Sequence, residues 1–159
     1  GGLPIAACIA DSKIMSSWTT EGFVALHGST FMANPLSCVA AIAAINELEN
    51  KRLVERSATK GNEFLVRLRT LWEKYEAVGD VRGRGLAVAI EIVENKKSKD
   101  PDSSLAIQLA NQLLHEGICA ILTGYPNGNV VAFSPPLVVS DDQLDYVYNA
   151  IDRSLKLIS

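Results

Sequence analysis

The chain has 159 residues, of which 48% are apolar and 21% are charged. This length suits one domain with a core of its own, and the composition is that of an ordinary globular protein. The formal net charge of −3 argues against nucleic acids and anionic membranes as partners, because both bind basic surfaces.

The cysteines, histidines and apolar stretches exclude further classes of protein. The three cysteines stand far apart and lack the paired spacing of a zinc site or a disulfide framework. Two histidines are too few for a histidine-rich metal cluster. We therefore predict no metal site and a reducing, cytoplasmic location. The longest apolar stretch, residues 38–45, is too short to cross a bilayer.

The N-terminal part of the chain resembles the tail of a preceding domain. A short apolar strand is predicted over residues 3–10, followed by loop-like sequence over residues 15–26. Asn34 and Pro35 then mark a helix start, since asparagine caps helices and proline is tolerated at the first helical position. This first helix is expected to reach about residue 48, and its many alanines indicate close packing on one side.

The remaining sequence alternates between amphipathic helices and short strands. Helices are predicted over residues 53–75, over residues 104–116 with Gly117 as the C-terminal cap, and from the capping box at residues 140–143 onward. Strands are predicted over residues 86–92, 118–123 and 130–134, the last two as a hairpin. We therefore expect an α+β layer, in which helices cover a sheet of roughly three strands.

One segment is a candidate for ligand binding. Gly28, Ser29 and Thr30 place a glycine and two hydroxyls in a loop directly ahead of the first predicted helix. Backbone N–H groups and hydroxyls in such a position suit an anion, for example a phosphate. The spacing alone leaves an ordinary capped loop as the alternative.

Four motifs follow one another in order along the chain. They are Gly-Gly-Leu-Pro-Ile-Ala-Ala at 1–7, His-Gly-Ser-Thr-Phe-Met-Ala-Asn-Pro-Leu-Ser-Cys at 27–38, Val-Arg-Gly-Arg-Gly-Leu at 81–86 and Phe-Ser-Pro-Pro-Leu-Val-Val at 133–139. This series resembles the C-terminal part of the class III (fold type I) pyridoxal-phosphate-dependent aminotransferases, which include the ornithine, acetylornithine, 4-aminobutyrate and ω-amino acid transaminases. The resemblance runs from Gly1 to the C-terminal helix.

The resemblance implies a cofactor, an assembly and site residues. It implies pyridoxal 5′-phosphate, and a homodimer whose active sites use residues of both subunits. Thr30, helped by Ser29 within the motif that Gly28 opens, would bind the phosphate of the partner subunit's cofactor. The Schiff-base lysine would precede Gly1, so no lysine here inherits that role, and this chain is expected to be inactive alone. Residues 1–33 would be the end of the large cofactor-binding domain, and residues 34–159 the small C-terminal domain.

The resemblance also bears on the reaction. It implies transfer of an amino group from an amine or ω-amino acid to a 2-oxo acid. Many family members that grip a substrate carboxylate have arginine where Ala132 stands here. Arg82 and Arg84 could replace that clamp, although their motif resembles a structural turn with tightly packed glycines. An aminomutase of the glutamate-semialdehyde kind and a free-standing non-catalytic domain remain alternatives.

Overall fold

A computed structural model describes residues 2–18, 28 and 30–158 of the chain. The backbone contacts divide the chain into two compact units, Gly1–Lys51 and Arg52–Ser159. The predicted division at residues 33 and 34 concerns the domains of a complete aminotransferase, and it stays a prediction.

The first unit contains α1 (Ser12–Met15), a 3₁₀ turn (Ser16–Trp18) and α2 (Pro35–Asn50). The predicted strand over residues 3–10 is wrong for this chain, because its described residues form neither strand nor helix. A strand needs a hydrogen-bonded neighbour, and every strand pairing in the described chain lies within the second unit. The loop-like stretch over residues 15–26 begins with the 3₁₀ turn, and its part beyond residue 18 lies outside the described residues.

The start of α2 is confirmed, together with its physical cause. The side-chain oxygen of Asn34 accepts hydrogen bonds from the backbone N–H groups of Leu36, at 3.0 Å, and Ser37, at 3.2 Å. Pro35 is the first helical residue, where its missing N–H leaves no donor unpaired. The helix runs to Asn50, two residues beyond the predicted end.

The second unit contains the sheet and the other described helices. Its elements are α3 (Leu53–Lys74), β1 (Val78–Arg84), β2 (Ala87–Ile92), α4 (Ser103–His115), β3 (Ile121–Thr123), β4 (Val130–Phe133) and α5 (Asp141–Ile158). The four strands form one antiparallel sheet in the order β1-β2-β4-β3. The α+β class and the β3–β4 hairpin are therefore confirmed, but the sheet has four strands rather than about three.

The core of this unit lies between one sheet face and the helices. Val88 and Ile90 of β2 and Val131 of β4 are buried there, opposite the apolar stripes of α3, α4 and α5. Complete burial of one such side chain contributes about 1.5–3 kcal/mol relative to exposure. The buried residues of the helical stripes are Phe64, Leu68, Leu71, Leu109, Leu113, Leu144, Ile151 and Leu155.

The helix ends of this unit follow from local sequence. Ser140 and Gln143 form the predicted capping box at the start of α5: the Ser140 N–H donates to Gln143 Oε1 at 2.9 Å, and the Gln143 N–H donates to Ser140 Oγ at 3.2 Å. Gly117 follows α4 with a φ of 78°, as expected for a left-handed C-terminal cap. These caps fix where the loops around the sheet begin.

Candidate functional site

Thr30 lies at the start of a turn over residues 30–33, immediately before α2. Both Thr30 and Gly28 are exposed, and an added Cβ at Gly28 would meet no atom within 4 Å. Within the described chain, the Thr30 hydroxyl forms no hydrogen bond, so its donor and acceptor sites remain open to a ligand. Ser29, the second predicted phosphate-binding hydroxyl, lies outside the described residues.

The first turn of α2 offers little to an anion. Asn34 already accepts the N–H groups of Leu36 and Ser37 through its side chain, and that of Cys38 through its carbonyl at 3.0 Å. Pro35 has no N–H to give. The amide donors that usually make a helix start an anion site are therefore occupied. A phosphate at this position would depend on the loop, and above all on the Thr30 hydroxyl.

Gly85 and Leu86 of the third motif form the tight turn between β1 and β2, which packs against α3. A Cβ at Gly61 would stand 2.0 Å from the backbone carbonyl of Gly85, which itself has a φ of 55°. The Leu86 N–H donates to Ser57 Oγ at 3.2 Å. These contacts support the structural interpretation of the motif's glycines, since only glycine permits this approach.

Arg82 is held by carboxylates on the sheet. Its guanidinium donates to Asp80 at 2.9 Å and to Glu91 at 2.5 Å. Hydrogen bonds to Asp80 and then to Glu91 raise the pKa of Arg82 above its ordinary value. The cluster carries one positive and two negative charges, so it does not attract a further carboxylate. By strand alternation Arg84 shares this face, where it is exposed and has no ion-pair partner among the described residues.

Ala132 stands in the same cross-strand row as Arg82. Strand register aligns Arg82 with Ala89, Ala89 with Ala132, and Ala132 with Ile121. Two strand spacings, about 10 Å in total, therefore separate the backbones of Arg82 and Ala132. The row lies on the sheet face opposite the core, and Ala132 is half-buried there between apolar neighbours.

Arg56 fixes the last motif and was not predicted from the sequence. Its guanidinium donates to the carbonyl oxygens of Leu137, at 3.1 Å, and Val139, at 2.6 Å. The segment that Arg56 holds borders an apolar cavity of about 630 Å³, whose lining includes Phe64, Ile118 and Phe133. A sequence signal existed: Arg56 lies in the first turn of α3, where a cation opposes the helix dipole.

Comparison with known proteins decides the family. The family model "Aminotransferase class-III" matches residues 1–155. The chain belongs to this family. It is 32% identical to a leucine/methionine racemase of Thermococcus litoralis, over 98% of this chain and 33% of that protein. It is 34% identical to an acetylornithine aminotransferase of Clostridium acetobutylicum, over 98% of this chain and 36% of that protein.

Solved structures of aminotransferases have the same fold as this chain. The fold matches an aminotransferase from Bacillus anthracis with a TM-score of 0.84 and 29% identity, covering 92% of this chain and 34% of the other. It also matches a pyridoxal-phosphate-bound amine transaminase from an uncultivated Pseudomonas species, with a TM-score of 0.77, 28% identity, and coverage of 84% and 30%. The cofactor of this family is pyridoxal phosphate. The chain spans about a third of the length of the curated relatives it matches.

The described helices carry no membrane span, since none of them is both long and apolar enough to cross a bilayer. Cys8, Cys38 and Cys119 are all free thiols.

Proposed function

We propose that this chain is the C-terminal third of a cytoplasmic, pyridoxal-phosphate-dependent aminotransferase. The complete enzyme, here called the intact enzyme, transfers an amino group from an amine or ω-amino acid to a 2-oxo acid. One observation carries the proposal: Thr30, in the second motif, is exposed, and its hydroxyl has no hydrogen-bond partner in the described part of the chain. The chain as a whole matches the family over residues 1–155. The three free thiols fit a reducing compartment.

Thr30 and Ser29 hold the cofactor phosphate of the partner subunit in a homodimer, next to Gly28. A hydroxyl that donates to a phosphate oxygen forms a charge-assisted hydrogen bond, which is stronger than one between neutral groups. Pyridoxal phosphate supplies the electron sink for amino-group chemistry. The contribution of this chain is to bind and orient the cofactor through its phosphate.

The donor substrate of the intact enzyme includes amines that lack a carboxylate. An arginine at position 132 would offer a planar, two-pronged partner to a substrate carboxylate, whereas alanine offers neither charge nor donor. Arg82 does not replace it, since Asp80 and Glu91 already bind its guanidinium. Ala132 itself therefore supplies no partner for a substrate carboxylate, whose burial without a partner costs several kcal/mol.

A donor panel on the intact enzyme tests this proposal. We expect simple amines without a carboxylate to turn over with a kcat/KM comparable to that of ornithine or 4-aminobutyrate. Ala132→Arg should raise kcat/KM for the carboxylate-bearing donors, while Ala87→Arg, which lies in a different row of the same face, should not. If simple amines are inert while ornithine reacts well, the assignment from Ala132 is wrong.

A racemase is the second candidate, because two relatives at 32% identity are named as a leucine/methionine racemase and an isoleucine 2-epimerase. Amino-group transfer needs an external 2-oxo acid, whereas racemisation and an intramolecular aminomutase reaction do not. Turnover of a single chiral amino acid without any oxo acid would therefore replace the transaminase proposal. The absence of any turnover would instead favour a non-catalytic domain.

A further inference from the structure

The cavity that the last motif borders, here called the α5 cavity, lies within the second unit. One wall is the loop between α4 and β3, another is the loop between β4 and α5, and the third is the first two turns of α5. Its volume of about 630 Å³ falls within the range of roughly 300–1,000 Å³ that small-molecule sites occupy. Val138 and Tyr146 line the cavity and are exposed to 60% and 49%, so a ligand can reach it from water.

The walls of the α5 cavity are largely apolar, and three of the lining side chains are aromatic. Phe64 and Phe133 are buried, and the third ring belongs to Tyr146. The Tyr146 hydroxyl donates to the backbone carbonyl of Glu116 at 2.8 Å, which fixes the position of this ring. Apolar walls bind the hydrocarbon part of a ligand, and aromatic rings also attract cations to their faces.

Asp142 gives the α5 cavity its charge. Among the described residues that line the cavity, Asp142 is the one charged side chain, and it is exposed. Two cations that contact the adjoining segments are engaged by other groups. Arg56 donates to two backbone carbonyls of the last motif, and Lys60 pairs with Asp141. The cavity therefore combines an unpaired carboxylate at its mouth with apolar and aromatic walls.

We propose that the α5 cavity binds a protonated primary amine with an apolar body. The ammonium group lies at Asp142, and the hydrocarbon body covers Phe64 and Phe133. An anionic ligand would be repelled by Asp142, and a neutral one would gain nothing from it. The proposal depends neither on cofactor binding nor on the reaction of the intact enzyme, because the lining includes neither Thr30 nor Ala132.

Protection of Cys119 from alkylation tests the proposal on this chain. Cys119 lines the cavity and is exposed, whereas Cys8 is exposed in the first unit and serves as the internal reference. Peptide mass spectrometry gives the rate at which iodoacetamide modifies each thiol at pH 7, in rising concentrations of unbranched amines with four to seven carbons. We expect these amines to protect Cys119 and not Cys8. The concentration for half-protection should fall about fourfold with each added methylene, because each buries further apolar surface.

Ligands of equal chain length test the role of charge. Hexylamine should protect Cys119 at a concentration at least about threefold lower than 1-hexanol, and hexanoate should protect least. Asp142→Asn should remove the preference for hexylamine over hexanol, whereas Asp142→Glu, which keeps the charge, should retain it. Glu63→Gln is the matched control, because it removes an exposed carboxylate of α3 that does not line the cavity.

Three results would overturn the proposal. They are equal protection of Cys119 and Cys8 or none at all, equal protection by hexylamine and hexanol, and a preference for hexylamine that Asp142→Asn leaves intact. The first two are decided on the parent chain, so the proposal can fail even where an Asp142 variant does not fold. Helical circular dichroism of each variant, compared with that of the parent, shows which variants enter the comparison.

Discussion

Gly61 of α3 packs directly against Gly85 of the β1–β2 turn. This contact leaves no space for even one side-chain carbon on Gly61. The 2.0 Å distance from a hypothetical Gly61 Cβ to the Gly85 carbonyl is far below any normal contact. The neighbouring atoms belong to the backbone of Gly85, so a side-chain rotation cannot relieve the clash. Packing therefore explains the glycines of this motif.

We predict that Gly61→Ala lowers the free energy of unfolding of this chain by about 1–3 kcal/mol. The usual helix-propensity gain of about 1 kcal/mol for this replacement should not compensate for the backbone displacement. Urea denaturation followed by circular dichroism measures the change. Glu63→Ala, on the exposed side of the same helix, is the control and should stay within about 0.5 kcal/mol of the parent. A Gly61→Ala variant as stable as the parent would contradict the close approach.

Sequence reasoning reached some of the important residues and missed others. Asn34 was predictable as a cap because its partners, Leu36 and Ser37, are two and three positions away. The hydrogen-bond partners of Arg56 and Ser57 were not predictable, because they lie 29 to 83 positions away and become neighbours only in the fold. The open position of the Thr30 hydroxyl likewise required the structure, since spacing alone allowed an ordinary capped loop.

At the scale of elements, α3 and α5 are joined by a ladder of ion pairs. Lys60, Arg67 and Lys74 follow one another at intervals of seven on α3, which returns them to one side of the helix. Their partners on α5, in the same order, are Asp141, Asp145 and Asp152. Residue numbers rise together along both helices, so the two helices run parallel.

The strand β1 was not predicted, because its residues do not alternate between apolar and polar side chains. Only Val78 and Val81 are apolar among its residues, and two glycines and two arginines interrupt any alternation. Its existence depends on backbone pairing with β2, which includes an irregularity between Val78 and Asp80. The neighbouring strand β2 was predictable, since Val88, Ile90 and Ile92 alternate with smaller or polar residues.

The ladder predicts a pH dependence of stability. The hydrogen bond from Lys60, followed by its charge, lowers the pKa of Asp141 below its ordinary value. A carboxyl whose pKa is lowered by folding stabilises the fold above its ordinary pKa, and this contribution is lost as pH falls through the lowered value. We expect Asp141→Asn to be less stable than the parent at pH 6, and the difference to be smaller at about pH 2, well below the ordinary aspartate pKa of about 3.9.

Asp142→Asn is the control for this comparison. Asp142 also lies in the first turn of α5, so it experiences the same helix dipole, but it has no ion-pair partner among the residues described. Thermal unfolding at both pH values, repeated in about 1 M salt, separates the effects, because salt screens an exposed pair. Equal losses for both variants at pH 6 would show that the Lys60 pair contributes nothing beyond the dipole.

At the scale of the whole molecule, the two units differ in what they can do alone. The second unit has a buried core and capped helices, whereas the first exposes apolar side chains and carries Thr30. The loop for which we propose a cofactor role therefore lies in the unit whose described residues bury little apolar surface. We propose that catalysis requires the intact enzyme for this reason as well as for its lysine.

We predict that this chain alone does not bind pyridoxal phosphate covalently at one specific lysine and has no transaminase activity. A transaminase needs a positioned lysine amine, and Lys13 lies exposed next to the start of α1 rather than in a pocket. Mixing the chain with the cofactor, reducing with borohydride and mapping labelled peptides provides the measurement. Stoichiometric labelling of a single lysine would refute the prediction, whereas weak labelling spread over exposed lysines is expected.

The central claim, that Thr30 holds the cofactor phosphate, is tested most directly by cofactor affinity in the intact enzyme. The dissociation constant of pyridoxal phosphate is measured for the parent, Thr30→Ala, Thr30→Ser and, as a control, Thr59→Ala on the exposed surface of α3. We predict that Thr30→Ala weakens binding by roughly tenfold or more, since a charge-assisted hydrogen bond contributes about 1.5–3 kcal/mol. Thr30→Ser and Thr59→Ala should stay near the parent, and thermal unfolding of the cofactor-free proteins should be unchanged. A dissociation constant that Thr30→Ala leaves unaltered would contradict the account.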